Sequence, residues 1–312
     1  MRLDTGTILD GISTLIGGID LGGTKIEARA YDDAMTEVSR RRIPTDTTSY
    51  QALLASITDQ VSWLKDQGVT STIGLGTPGL IHPETGRMLS ANLPATGHAL
   101  GADLAALTGH IIPVIKDCRA FALAEATHGA GIGYRNVIGL IIGTGVAGGH
   151  VIDRTIPPDH NGQSGEFGHL PLPAHIVSEL DLPVLACGCG LVGCFETLLS
   201  GPGLTRLAHH MTGQDQTAPD IWTTIPEVKS TWLRIAASLV GIISRTADPD
   251  AIVLGGGLGT AHGLADELAK ALDGNLLAGT APPRILPAQF GDASGAFGAA
   301  IYAQQHVLKG AT

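Results

Sequence analysis

The stretch IGGIDLGGTKIEARAYD, Ile16 to Asp32, decides how this chain is read. An apolar run meets a Gly-Gly turn, and the residues after it alternate, with Ile26, Ala28 and Ala30 on one face. Alternation on either side of a glycine turn predicts a β-hairpin. The pattern returns at Asn136–Asp153, NVIGLIIGTGVAGGHVID, with Gly-Thr-Gly at the turn. Two strand–glycine turn–strand units in one chain predict duplicated α/β halves around a cleft.

The segments between them support that reading. Leu53, Leu54, Ile57, Val61 and Leu64 have helical spacing, and residues 99–109 read as a short helix. TIGLGTPGLI reads as a strand ending in a Gly-Pro loop. IIPVIKD predicts a strand ending at Asp117, followed by the helix CRAFALAEATHG. Such strand-to-helix joins often hold ligands in open α/β sheets. WLRIAASLVGIISRTA reads as a buried helix, DAIVLGGGLG as a strand entering a glycine turn, and GAFGAAIYAQQHVL as a terminal helix. Residues 154–200 show little regular pattern. A boundary is expected near Asp117, giving lobes 1–117 and 118–294, with helix 295–308 packing back on the first lobe.

Composition narrows the classes. At 312 residues, 44% hydrophobic and 15% charged, the chain is long and apolar enough for two folded lobes. A net charge of −10 argues against a nucleic-acid partner, which needs a basic stripe. No apolar run reaches the length of a membrane span. The N-terminus carries Asp4 and Asp10 and no basic region before an apolar run, so it does not read as a signal peptide. A cytoplasmic protein with reduced thiols is expected.

Three glycine turns each follow an apolar strand: Gly22-Gly23-Thr24, Gly143-Thr144-Gly145 and Gly255-Gly256-Gly257. Glycines let backbone N–H groups approach phosphate oxygens. Each turn alone reads first as ordinary punctuation. Together they point to a nucleotide cleft, in which Asp20 at a strand end could hold Mg²⁺ through water. Neither a P-loop nor a dinucleotide-binding glycine fingerprint is present.

Gly165-Glu166-Phe167-Gly168-His169 places a carboxylate and an imidazole three residues apart, both able to bond a polyhydroxylated ligand. A solvated glutamate and a core histidine are the plain alternative. Cys187, Cys189 and Cys194 then cluster with glycines between them. That spacing suits a tetrahedral zinc whose fourth ligand comes from elsewhere; His169 is the candidate and Cys118 the competitor. With four side-chain ligands the zinc would be structural.

These stretches together resemble the ROK family of sugar kinases. The resemblance runs from Ile19 to about Tyr302 and is carried by DLGGTK, GLGTPGLI, GTGVAGG, GEFGHL, CGCGLVGCFETLLSGPG and DPDAIVLGGGLG. It implies a two-lobed actin/hexokinase-like (ribonuclease H-like) ATPase fold with an interlobe cleft, ATP and Mg²⁺ as cofactors, and transfer of phosphate to a hexose 6-hydroxyl. By motif it makes Asp117 the general base and Asn92, Glu166, His169 and Glu196 sugar contacts. Asp20, Gly22, Gly23, Thr24, Lys25, Gly143, Thr144, Gly145, Gly256 and Gly257 would line the nucleotide side. His169 would serve sugar and zinc through its two ring nitrogens, the zinc ordering the loop that presents Glu166 and Glu196.

The ANLP segment and the long His-to-Cys interval look most like the family's N-acetylglucosamine kinases. ETLLSG and GDASGAFGAA also resemble its fructokinases, and glucose and N-acetylmannosamine are further candidates. A homodimer is expected from the family's habit. The family also includes sugar-sensing repressors with a winged-helix segment before the kinase-like part; 19 residues precede Asp20 here. A catalytically silent sugar-binding protein is the third reading, raised by one departure. The family pattern Asn-Asp-x-Asn is Lys116-Asp117-Cys118-Arg119 in this chain. A lysine ammonium beside Asp117 is expected to favour its ionised form and weaken it as a base.

Overall fold

The computed structural model describes residues 15–70 and 72–310. Asp4 and Asp10, and with them the reading of the N-terminus, lie outside the described residues.

The chain forms two sheets that begin alike. β1 (Ile16–Leu21) and β2 (Lys25–Tyr31) make the expected antiparallel hairpin, pairing Ile16 with Tyr31 and Leu21 with Ile26. β3 (Glu37–Pro44) adds to the outer side of β2. After α1 (Tyr50–Asp66), β4 (Ile73–Thr77) lies parallel to β1. A small pair, β5 (Leu80–Ile81) and β6 (Met88–Leu89), and α2 (Leu100–Thr108) lead to β7 (Val114–Lys116), parallel to β4. The first sheet therefore has the order β3-β2-β1-β4-β7.

α3 (Asp117–His128) carries the chain to the second sheet, where β8 (Asn136–Ile142) and β9 (Val146–Ile152) form the second hairpin. The helices α4 (Ala174–Glu179), α5 (Glu196–Leu199), α6 (Gly201–Thr212), α7 (Ala218–Thr224) and α8 (Pro226–Ala247) follow. β10 (Ala251–Gly255) pairs parallel with β8, then come α9 (Gly256–Gly259) and α10 (Leu264–Ala271). β11 (Arg284–Pro287) pairs parallel with β10, and α11 (Ser294–Gly310) ends the described chain. The order β11-β10-β8-β9 repeats the first sheet's plan of hairpin plus parallel strands, without a counterpart of β3.

Local chemistry explains several of these elements. Ser49 caps α1 by accepting the Ala52 N–H at 3.1 Å, and the predicted apolar stripe is buried. On the same face the Gln60 amide donates to the Ile26 carbonyl at 3.0 Å, tying α1 to β2. Ser200 caps α6, whose first turn contains Pro202 and whose end is set by Gly213. Periodicity misses β3 because EVSRRRIP is an exposed, charged edge strand. Arg42 on β3 and Arg29 on β2 both pair with the buried Glu27, so charge rather than apolar burial holds it there.

α3 packs on β8 and β9, α11 on β1 and β4, and the two helices on each other. This helix pair is the interior layer between the sheets. The approach of α11 depends on missing side chains. A Cβ on Gly18 or Gly74 would stand 1.9 Å from the carbonyl oxygen of Ala296 or Ala299. The buried Glu125 of α3 accepts the N–H groups of Gln289 and Phe290, both at 2.9 Å, and so fixes the chain just before α11. Among the described residues, no helix is long and apolar enough to cross a membrane.

Candidate active site

The strand ends of both sheets supply the polar residues. Asp20 stands near the end of β1, and its carboxyl lies against Gly295 in the first turn of α11, where a Cβ would fall 2.6 Å away. Burial, then the negative charge of Asp117, pushes Asp20 up to about 6. The next turn is rigid: the Gly22 N–H donates to the Lys25 carbonyl at 2.9 Å, and Thr45 Oγ1 donates to the Gly22 carbonyl at 2.7 Å. Gly23 and Thr24 are exposed at its tip, Lys25 opens β2, and Asn92 comes up to Gly23.

Asp117 is the first residue of α3. Its Oδ1 accepts the Cys118 N–H at 2.7 Å. That bond and the Lys116 ammonium favour the charged form, but burial outweighs them and raises its pKa. The expectation of a base weakened by Lys116 is thereby corrected: desolvation is the larger effect. The ammonium has another partner, since Lys116 Nζ is ion-paired with Glu166 Oε1.

Glu166 in turn faces His169, with Oε2 3.7 Å from Nε2. The other ring nitrogen of His169 faces the cysteines, Nδ1 standing 3.7 Å from Cys187 Sγ. Cys189 and Cys194 sulfurs are also 3.7 Å apart, and one ligand atom from each of the four residues lies within 4.8 Å of the others. A tetrahedron with Zn–S bonds of ~2.3 Å has edges of ~3.8 Å; the two 3.7 Å separations match it and the wider ones would close slightly on a bound ion, so the donor set is compatible with zinc. Cys118 is buried in α3 and outside the cluster, and the four cysteines are free thiols.

Glu196, in the first turn of α5, has a partner of its own. Its Oε2 accepts the Val146 N–H at 2.8 Å and lies 2.8 Å from where a Gly145 Cβ would be. The carboxylate is thus seated on the second glycine turn. That turn is fixed by Gly143 N–H to Gly145 carbonyl at 2.9 Å and Gly201 N–H to Gly143 carbonyl at 2.7 Å. Thr144 is exposed at its tip, beside a cavity of about 410 Å³ also lined by Cys187, Glu196, Ser200 and Arg206. A Cβ on Gly143 would stand 3.7 Å from Gly257 N and 3.9 Å from Gly256 Cα. The third glycine run is not a hairpin turn: Gly255 ends β10 and Gly256, at φ 80°, opens α9.

The structure thus groups the predicted residues in two sets. Asp20, the first glycine turn, Asn92 and Asp117 come from β1, β2, the β6–α2 connection and the β7–α3 junction. Glu166, His169, Glu196 and the cysteines surround the second hairpin, and Lys116 joins the sets through Glu166. Sequence reasoning missed Asp159 and Ser164, which hold Arg119, because nothing local marks a partner so far along the chain.

Two sheets opened by matching hairpins, with helices between them, define the actin/hexokinase-like α/β fold. The solved ROK hexokinase from Thermus thermophilus superposes with a TM-score of 0.83, covering 95% of this chain and 100% of that one at 28% identity. The ROK family model matches residues 16–306, and the chain belongs to that family. It is 36% identical over 296 residues to the N-acetylgalactosamine kinase AgaK of Shewanella sp. (strain ANA-3), covering 91% of this chain and 95% of that protein. It is 37% identical over 295 residues to the N-acetyl-D-glucosamine kinase of Salmonella paratyphi C (strain RKS4594), covering 91% and 97%.

Proposed function

We propose that this chain is an ATP-dependent kinase that phosphorylates the 6-hydroxyl of an N-acetylhexosamine, with N-acetylglucosamine as the preferred substrate. The observation that carries the reading is Asp117: a desolvated carboxyl at a strand-to-helix join, close enough to Asp20 for their charges to interact. The kinase relatives named above act on two N-acetylhexosamines, which supports that substrate class over glucose or fructose.

Phosphoryl transfer asks a protein mainly for positioning and charge stabilisation. Asp117 accepts the proton of the attacking hydroxyl, and its raised pKa improves it as a base. Glu166, His169, Glu196 and Asn92 orient the sugar through its hydroxyls. Backbone N–H groups of the turns at Gly22–Thr24 and Gly143–Gly145, with Gly256 and Gly257, offer donors to phosphate oxygens, and Lys25 adds positive charge. Asp20 is the carboxylate placed to hold Mg²⁺, whose charge offsets that of the phosphates. The Cys187, Cys189, Cys194 and His169 set holds a structural zinc that keeps His169 and the cysteine loop in register with Glu166. In this reading the lobes divide at Asp117, as 1–117 and 118–294, and α11 returns to the first lobe through its contacts with β1 and β4.

The test is a panel of hexoses and N-acetylhexosamines with Mg·ATP, followed by ADP release. Turnover is expected to be fastest on N-acetylglucosamine. Intact ATP binding with no turnover on any sugar would overturn the kinase assignment; faster turnover of fructose or glucose would overturn the substrate assignment.

A further inference from the structure

Lys116 and Arg119 flank Asp117 on one turn, and both are tied to the segment that follows β9. Arg119 Nη1 pairs with Asp159, and its Nε and Nη2 donate to the Ser164 carbonyl at 3.3 and 3.0 Å. Lys116 pairs with Glu166. Asp159 also accepts the Gly162 N–H at 2.7 Å, and a Cβ on Gly162 would stand only 2.4 Å from the carbonyl oxygen of Ile81, the last residue of β5. Segment 159–166 is thus gripped at both ends from the β7–α3 junction and seated at its middle against the first half of the chain.

The pairs are sheltered. Side-chain exposures are 10% and 21% for Lys116 and Glu166, and 13% and 12% for Arg119 and Asp159. Sheltered charges are screened little by salt, and removing one partner leaves the other desolvated and unpaired. Each cation has its own carboxylate, so neither is left over for an anionic acceptor.

We infer that Lys116 and Arg119 are positioning residues for acceptor recognition. They clamp segment 159–166 before the sugar arrives, holding Glu166 with Oε1 engaged and Oε2 available to a sugar hydroxyl. The inference rests on the kinase reading above. A side chain ordered in advance adds no ordering cost at binding, so the clamp acts on sugar affinity rather than on the transfer step.

Steady-state kinetics and calorimetric sugar titration without nucleotide, run on wild type and variants, test this. Arg119→Met is expected to raise sugar KM and Kd about tenfold, with kcat falling less than about threefold and the KM for ATP unmoved. Arg119→Lys, which keeps the charge but loses the fork, recovers part of the loss. Lys116→Met also weakens sugar binding, and adding it to Glu166→Gln produces no further loss, because the two residues act as one unit.

Unchanged sugar affinity in both methionine variants overturns the clamp. So do equal losses for sugar and ATP, or strict additivity of Lys116→Met with Glu166→Gln. A wild type that binds sugar without turning it over defeats the kinase reading alone, and the Kd shifts then decide the clamp. A wild type that neither binds nor turns over any sugar overturns both.

Discussion

Asp20 near the end of β1 and Asp117 at the start of α3 lie close enough for the charge on one to raise the pKa of the other. Burial is the larger cause of the rise to about 6 at Asp20, and Asp117 comes second. Two desolvated acids in one cleft are unfavourable for folding and useful for binding cationic metal and accepting a proton.

Asp20 therefore makes the metal-free protein sensitive to pH. A carboxyl whose pKa is raised by folding favours the fold while it is protonated. That contribution is complete below about pH 4 and is lost as pH rises through about 6. With allowance for the cleft's partial contact with water, the loss is on the order of 2 kcal/mol. Asp20→Asn should melt higher than wild type at pH 7.5 without metal or nucleotide, and the difference should vanish near pH 4. A lower melting point for the variant at pH 7.5 would contradict the assignment.

Asp117→Asn is isosteric and removes the carboxylate proposed to accept the hydroxyl proton. Turnover should fall roughly a hundred- to ten-thousand-fold, with sugar affinity largely kept. In wild type, the acid limb of kcat/KM should lie above the ordinary carboxylate range, in keeping with the raised pKa of this group. A wild-type rate in the variant would exclude Asp117 as the base.

The four-residue cluster predicts about one zinc per chain by elemental analysis. Cys187→Ala, or strong chelation, should release the metal, lower the melting temperature and weaken sugar binding through Glu166 and His169. Full sugar affinity in metal-free protein would separate the cluster from substrate recognition.

Gly74→Ala tests how α11 is held. Its Cβ would overlap the carbonyl of Ala299, so the helix must shift, at a cost on the order of 3 kcal/mol. Thermal unfolding should show the loss in full. Because Gly74 lies in β4 and not at the site, the KM values at a permissive temperature should change little.

Much of this molecule is legible in the sequence because its signals are local. The hairpins at Gly22-Gly23 and Gly143-Thr144-Gly145 announce themselves within a few residues, as do α1, α8 and the cysteine cluster. β3 does not, since an edge strand held by Arg42 and Glu27 has no apolar alternation to read. α6 and α10 do carry helical spacing, at Leu204, Leu207 and Ala208 and at Leu264 and Leu268, so their signal is local too, whereas the seven-residue α7 buries only Ile221 and is too short to show a period.

The sequence by itself determined the two-hairpin plan, the glycine turns, the family and the four residues that now stand together as a donor set. Each depends on spacing along the chain. Only the tertiary structure decided what Lys116 and Arg119 do and how Asp117 is tuned. Glu166 lies 50 residues beyond Lys116, and the two meet only because the segment after β9 folds back onto the β7–α3 junction. Desolvation, likewise, belongs to the packed site and not to any residue in it, and at Asp117 it outweighs the neighbouring ammonium.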